Sequence, residues 1–210
     1  MPYKTAQEEF WSGKFGEDYV DRNNDKKILV SDIALFTKVL SKTENVSSAI
    51  EFGANIGLNL KAMRTLLPDL ACNAIEINHK AAEILRNDSF FGADGVNVME
   101  TSILEYDAQE QYDFVLIKGV LIHINPDELQ NVYSRLYKSS KRYICICEYY
   151  NPTPVMVKYR GNEDRLFKRD FAGEFMDKYP DCKLIDYGFV YHRDNAFPMD
   201  DVTWFLLEKR

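Results

Sequence analysis

Residues 49–57 read Ala-Ile-Glu-Phe-Gly-Ala-Asn-Ile-Gly. A short apolar run, Ala49-Ile50, enters a turn that carries Gly53 and Gly57. Beyond it Leu58, Leu60, Met63, Leu66 and Leu67 recur at helical spacing, which predicts a helix from about Ile56 to Leu67, stopped by Pro68. A second apolar run, Ala71 to Ile75, ends on Glu76, nineteen residues after Gly57. Strand, glycine turn, helix, strand and acid make the first half of a nucleotide-binding βαβ unit. Glycine lets the backbone approach a ligand closely, and a carboxylate at the tip of the second strand can accept hydrogen bonds from a ribose diol.

The spacing separates two cofactor classes. The dinucleotide fingerprint is G-x-G-x-x-G, with a pyrophosphate on the helix N-terminus. Here the pattern is E-x-G-x-N-x-G, built from Glu51, Gly53, Asn55 and Gly57. It resembles motif I of the class I S-adenosylmethionine (SAM) methyltransferases, [D/E]-x-G-x-G-x-G, with Asn55 in place of the middle glycine. Asn tolerates left-handed backbone better than other non-glycine residues, so the turn can survive the exchange.

The chain has 210 residues, enough for one domain with a full core, and 46% of them are hydrophobic and 28% charged. A net charge of −7 argues against broad nucleic-acid binding, which needs a basic face. No apolar stretch approaches membrane-spanning length and no signal peptide opens the chain, so neither membrane nor export is expected. The four cysteines, Cys72, Cys145, Cys147 and Cys182, form no C-x-x-C pair, and Cys145 and Cys147 lie in an apolar run as small hydrophobes. A reducing cytoplasm fits this usage. His79, His123 and His192 are too scattered for a metal-site pattern, so no metal is expected.

Outside the opening motif, helices are predicted over Lys27–Leu40, His79–Asn87, Asn125 to about Tyr137, and Phe171–Tyr179. The third starts on strong signals, with Asn125 as N-cap, Pro126 at the first helical position and acids after it. Strands are predicted over Gly95–Met99, Tyr112–Ile117, Arg142–Cys147, Leu184–Tyr191 and Val202–Glu208. Five strands alternating with helices imply a parallel sheet, and the last two, joined without a helix, imply an antiparallel hairpin. The expected fold is α/β and Rossmann-like: a seven-stranded, mostly parallel sheet with helices on both faces and a C-terminal antiparallel hairpin, as in class I methyltransferases.

Two segments depart from this pattern. Residues 149–170 have weak periodicity, Pro152, Pro154 and Gly161, and five cations, Lys158, Arg160, Arg165, Lys168 and Arg169, against three anions, Glu163, Asp164 and Asp170. The segment reads as an inserted loop for the methyl acceptor, or as a solvated flap. The N-terminal residues 1–26 crowd Phe10, Trp11, Phe15 and Tyr19 together with Gly13 and Gly16, which should break a long helix, and read as a lid-like segment.

With these segments in hand, the chain resembles the pseudaminic-acid-biosynthesis-associated methylases over nearly its whole length. The carrying strings are Phe10-Trp11-Ser12-Gly13-Lys14-Phe15-Gly16 with Tyr19 and Arg22-Asn23; residues 51–57; Lys118-Gly119-Val120-Leu121-Ile122-His123-Ile124-Asn125-Pro126; Tyr149-Tyr150-Asn151-Pro152-Thr153-Pro154; and Tyr159-Arg160-Gly161 through Asp164-Arg165-Leu166-Phe167-Lys168-Arg169-Asp170 to Glu174. The resemblance implies SAM as cofactor, a small-molecule acceptor such as a sugar or sugar nucleotide, and a place in bacterial nonulosonic-acid or surface-glycan pathways. It leaves the acceptor itself undefined.

On this reading the cofactor lies against Glu51, Gly53, Ala54, Asn55 and Gly57 of the turn, Glu76 and Ile77 at the second strand, Thr101, Ser102 and Ile103 after the third, and Lys118, Gly119 and Val120 after the fourth. The acid that many relatives hold after the third strand is absent here. Tyr19 and Arg22 reach it from the N-terminus, Arg22 pairing with the SAM carboxylate, unless they only hook that segment down. His123 is either a general base that also touches cofactor or a packed histidine. Tyr149, Tyr150 and Glu148 are further candidate bases, and Tyr159, Arg160, Arg165, Lys168 and Arg169 would hold an anionic acceptor. Two rival readings stand beside the methyltransferase: a non-catalytic SAM-binding protein, and a nucleotide-dependent oxidoreductase, against which the glycine spacing and terminal hairpin speak.

Overall fold

The computed structural model describes residues 3–22 and 26–210. Asn23, one of the residues carrying the family resemblance, lies outside them. Strand β1 (Ser48–Phe52) is the sheet's hub, pairing in parallel with β2 (Ala71–Glu76) on one side and β4 (Tyr112–Lys118) on the other. The sheet order is β3-β2-β1-β4-β5-β9-β8, with β3 (Asn97–Glu100), β5 (Ser140–Glu148), β8 (Cys182–Phe189) and β9 (Thr203–Lys209). The first five strands are parallel, and β9 enters antiparallel between β5 and β8. The seven-stranded, mostly parallel sheet and its terminal antiparallel hairpin are the architecture expected from the alternation of runs. The order reverses between β1 and β4, and their C-terminal ends open the crevice where such sheets place ligands.

Alternate residues of the central strands feed two cores, which is why their sequences read as continuous apolar runs. Ile50, Phe52, Val115, Ile117, Ile144 and Ile146 face α6 (Leu129–Ser139) and α7 (Phe171–Lys178). Ala49, Phe114, Leu116, Tyr143 and Cys145 face α3 (Lys26–Leu40), α4 (Leu58–Leu66) and α5 (His79–Arg86). Each fully buried large side chain, such as Phe36 or Phe114, stabilises the fold by about 1.5–3 kcal/mol through burial alone.

The turn between β1 and α4 has left-handed backbone at Gly53 (φ 78°), Asn55 (φ 49°) and Gly57 (φ 76°). A side chain at Gly53 would place its Cβ 2.6 Å from Val120, and one at Gly57 would overlap Leu85, so both positions need glycine for conformation and for space. Asn55 supplies the third left-handed residue, in the role its sequence position suggests.

Several boundaries differ from the sequence reading for local reasons. Helix α4 begins at Leu58 because Ile56 still belongs to the turn. Asn125 caps a 3-10 turn, Pro126–Glu128, by accepting Asp127 N–H at 3.1 Å, and α6 starts only after it. Of the two N-terminal glycines, only Gly13 separates helices, α1 (Ala6–Ser12) from α2 (Lys14–Arg22). Gly16 is buried inside α2, where any side chain would overlap the Trp11 carbonyl. The largest difference is residues 155–168. Where weak periodicity suggests a loop, β6 (Val155–Tyr159) and β7 (Asn162–Lys168) form a separate two-stranded hairpin. Its two-residue turn, Arg160-Gly161, has φ of 48° and 85°, the double left-handed conformation that matches strand twist.

Candidate functional site

A cavity of about 570 Å³ opens at the C-terminal ends of β1, β2 and β4. Its floor is the turn Gly53–Ile56, and its roof is built from α1, α2 and the β6–β7 hairpin. The volume suits a small organic ligand.

Glu76 ends β2 with 7% of its surface exposed. One carboxylate oxygen accepts the Asn55 N–H at 2.7 Å and the other the Asn78 N–H at 2.7 Å. Burial pushes its pKa up, and these two backbone donors oppose the shift. Each oxygen keeps a further lone pair for a ligand hydroxyl. Ile77 and Asn78 follow on the wall. Asn78 caps α5 through Ala81 N–H and donates its amide to the Trp11 carbonyl at 3.1 Å, which ties the N-terminal helices to the end of β2.

Ser102 and Ile103 also line the cavity, whereas Thr101 turns away and bonds the Glu76 carbonyl through its N–H at 3.1 Å. Although no acid follows β3, one from elsewhere in the chain stands beside it: Glu8 of α1 accepts a short hydrogen bond from the Ser102 hydroxyl and lines the same wall. Its other oxygen accepts the Thr5 N–H at 2.8 Å, completing a capping box for α1. Sequence reading missed Glu8, although Thr5-x-x-Glu8 is a capping-box signature in plain view.

On the opposite wall the Lys118 ammonium lies 3.1 Å from a carboxylate oxygen of Asp32, an α3 residue that is 1% exposed. Burial works against the Lys118 charge, but the Asp32 carboxylate outweighs it and holds the lysine protonated. Asp32 was also missed; its signal is a lone acid in the apolar helix Lys27–Leu40. Gly119 (φ 67°) and Val120 continue the wall, Val120 packed over Gly53.

Two further carboxylates sit behind the lining. Glu51 is fully buried in β1, accepts the Asn59 amide at 2.6 Å, and has its pKa pushed up to about 8 by burial. Glu148 ends β5 and accepts the N–H groups of Val120 and Leu121 at 2.9 and 2.8 Å; burial raises its pKa to about 7. Its geometry is that of a clamp on the turn after β4. Gly57 too lies outside the lining, against Leu85.

His123, 8% exposed, lines the cavity between Trp11 and Tyr159, whose ring centroids lie 4.7 and 5.0 Å away. Tyr19 meets Trp11 edge-on at 5.3 Å, and Tyr149, Tyr159 and Arg160 close the rim. The remaining candidates lie apart. Tyr150 is 43% exposed against Phe205, and exposed Arg22 sits over Phe15. Arg165 lies over Phe10 beside a second, more open cavity. Lys168 lies over Tyr149 on the outside, and Arg169 is bound to Glu174 at 2.6 Å. Of the five loop cations, only Arg160 reaches the cavity lining.

No group of three or more His, Cys, Asp or Glu among the described residues is placed to hold a metal, and no helix among them is long and apolar enough to cross a membrane. No protein-family model matches the chain, and no curated protein matches it significantly. Its similarity is to solved structures. Magnesium protoporphyrin IX methyltransferase from Synechocystis PCC 6803, solved with bound S-adenosylhomocysteine, superposes with a TM-score of 0.71 at 13% identity, covering 99% of this chain and 100% of that one. The 1,6-didemethyltoxoflavin-N1-methyltransferase of Burkholderia thailandensis, also solved with S-adenosylhomocysteine, gives 0.71 at 15% identity over 100% and 92%. A SAM-dependent methyltransferase from Leishmania major gives 0.71 at 15% identity over 96% and 80%. The chain therefore has the fold of the class I SAM-dependent methyltransferases.

Proposed function

We propose that this protein is a cytoplasmic, single-domain SAM-dependent methyltransferase acting on a small anionic or carbohydrate-like acceptor. The observation that carries the reading is the buried Glu76 carboxylate, held by two backbone N–H groups at the rim of the left-handed turn and facing a cavity of about 570 Å³. The residues present fit the cofactor. Glu76 suits the ribose diol, and Gly53, which takes the left-handed turn and admits the Val120 side chain against it, shapes the cavity floor beside it. One Asp32 oxygen lies 3.1 Å from the Lys118 ammonium and the other has no hydrogen-bond partner among the described residues, so the pair puts both charges needed for an α-amino acid end on one wall.

When bound, SAM supplies an electrophilic methyl group on a sulfonium. The chain's own contribution is positioning and exclusion of water. Glu148 fixes the turn after β4 by its two backbone bonds, and the aromatic residues Trp11, Tyr19, Tyr149 and Tyr159 wall off the acceptor side. Arg160 at the rim supports an anionic acceptor, and the resemblance to methylases of the pseudaminic acid pathway supports a sugar. Incubation with SAM and a panel of sugar nucleotides and nonulosonic acids, read by mass spectrometry, should yield S-adenosylhomocysteine and an acceptor heavier by one CH2. Cofactor binding without turnover of any acceptor would favour a SAM-binding protein instead.

A further inference from the structure

His123 Nδ1 lies 2.5 Å from the backbone carbonyl oxygen of Arg165 in β7. A carbonyl only accepts, so Nδ1 carries the ring proton and Nε2 presents a bare lone pair. Nε2 has no hydrogen-bond partner among the described residues, and the ring's small accessible surface opens on the cavity. The mount is rigid. His123 ends the 3-10 turn Leu121–His123, clamped by Glu148 on one side and gripped between Trp11 and Tyr159 on the other.

We propose that His123 Nε2 is the proton acceptor for a hydroxyl-bearing methyl acceptor, with the β6–β7 hairpin fixing its tautomer through the Arg165 carbonyl. This rests on the methyltransferase reading above. A neutral amine attacks through its own lone pair and needs no base, whereas a hydroxyl must lose its proton as its oxygen is alkylated. As the new C–O bond forms, the O–H bond breaks and leaves its electrons on oxygen. The proton joins the Nε2 lone pair, and the imidazolium passes it to water. Burial holds the ring's pKa down to about 4, so it is neutral and ready at pH 7. An alkylated hydroxyl is acidic enough to give its proton even to so weak a base. The groups packed on the ring are the Trp11 and Tyr159 side chains and the Arg165 backbone, none of them a carboxylate that would charge it.

Two measurements test this. Long-range 1H–15N correlation at pH 7 has only three histidines to resolve, and it should show His123 protonated on Nδ1 and bare on Nε2. A proton on Nε2 would overturn the proposal whatever the acceptor is. The second is His123→Asn, whose amide N–H can still reach the Arg165 carbonyl while Nε2 is removed. It keeps a purely structural role and loses a catalytic one. The variant should bind S-adenosylhomocysteine normally and keep its KM for the acceptor, while kcat falls about 10²–10⁴-fold. Wild-type kcat in this variant, or an amine as the only acceptor methylated, would overturn the proposal. Failure of wild-type protein to bind S-adenosylhomocysteine would instead refute the methyltransferase reading and leave the tautomer result standing.

Discussion

Five carboxylates are buried around the crevice, and for the three carried on strands the donors set what each one does. Glu76 holds two backbone N–H groups from different segments, Glu148 clamps a turn, and Glu51 has one side-chain amide. Glu51 is the least compensated, and its second oxygen accepts no hydrogen bond from the described residues. Its pKa is about 8 in the folded chain, against an ordinary glutamate value near 4.3. Between those values the folded state keeps a proton that the unfolded state has released, so Glu51 stabilises the fold below about pH 4.3 and that contribution is lost as pH rises toward 8. Glu51→Gln cannot titrate. Urea denaturation at pH 5 and pH 8 should therefore show wild type losing a few kcal/mol relative to the variant, at about 1.4 kcal/mol per pH unit at most. The same wild-type-to-variant difference at both pH values would mean that Glu51 does not hold its proton. Glu148, with pKa near 7, shifts stability in the same direction in both proteins and cancels from the comparison.

At the scale of elements, the β1 turn and the strand–helix alternation were legible because each rests on local chemistry. Glycines stand where φ is positive, and apolar runs stand where both faces of a strand are buried. The β6–β7 hairpin was not, for two physical reasons. Val155, Met156, Val157 and Lys158 are all exposed, so β6 has no alternating burial to imprint a pattern. Its turn is Arg-Gly, not the Asn-Gly that advertises a hairpin. Likewise Glu8 and Asp32 reach the cavity only through tertiary packing of α1 and α3, which no spacing rule reports. The hairpin carries the Arg165 carbonyl, so its turn should matter at a distance. A Cβ at Gly161 meets nothing, and Gly161→Ala therefore adds only left-handed strain of about 1–2 kcal/mol. Hydrogen exchange of amides in 155–168 should speed up about 5–30-fold, with β4 and β5 unchanged. Unchanged exchange in the hairpin would show that packing on the cavity, not the turn, holds it.

For the whole molecule, the sheet provides a fixed floor and two separate chain segments make the roof. They are fastened to each other as well as to the floor. Gln7 donates its amide to the Asp164 carbonyl at 3.0 Å, and Phe15 packs on Tyr159 at 6.0 Å. With few core contacts of their own, such covers open more readily than the sheet beneath them. Residues 6–22 and 155–168 should thus gain exchange protection together when S-adenosylhomocysteine binds; strong and equal protection with and without it would mean a permanently closed cavity. The central claim is that Glu76 and the left-handed turn form a SAM site, and calorimetry tests it most directly. S-adenosylhomocysteine should bind and NAD should not. Glu76→Ala removes charge-assisted hydrogen bonds of about 1.5–3 kcal/mol, so it should weaken binding about ten- to a hundredfold. Wild-type affinity in Glu76→Ala, or binding of NAD in place of S-adenosylhomocysteine, would contradict the account.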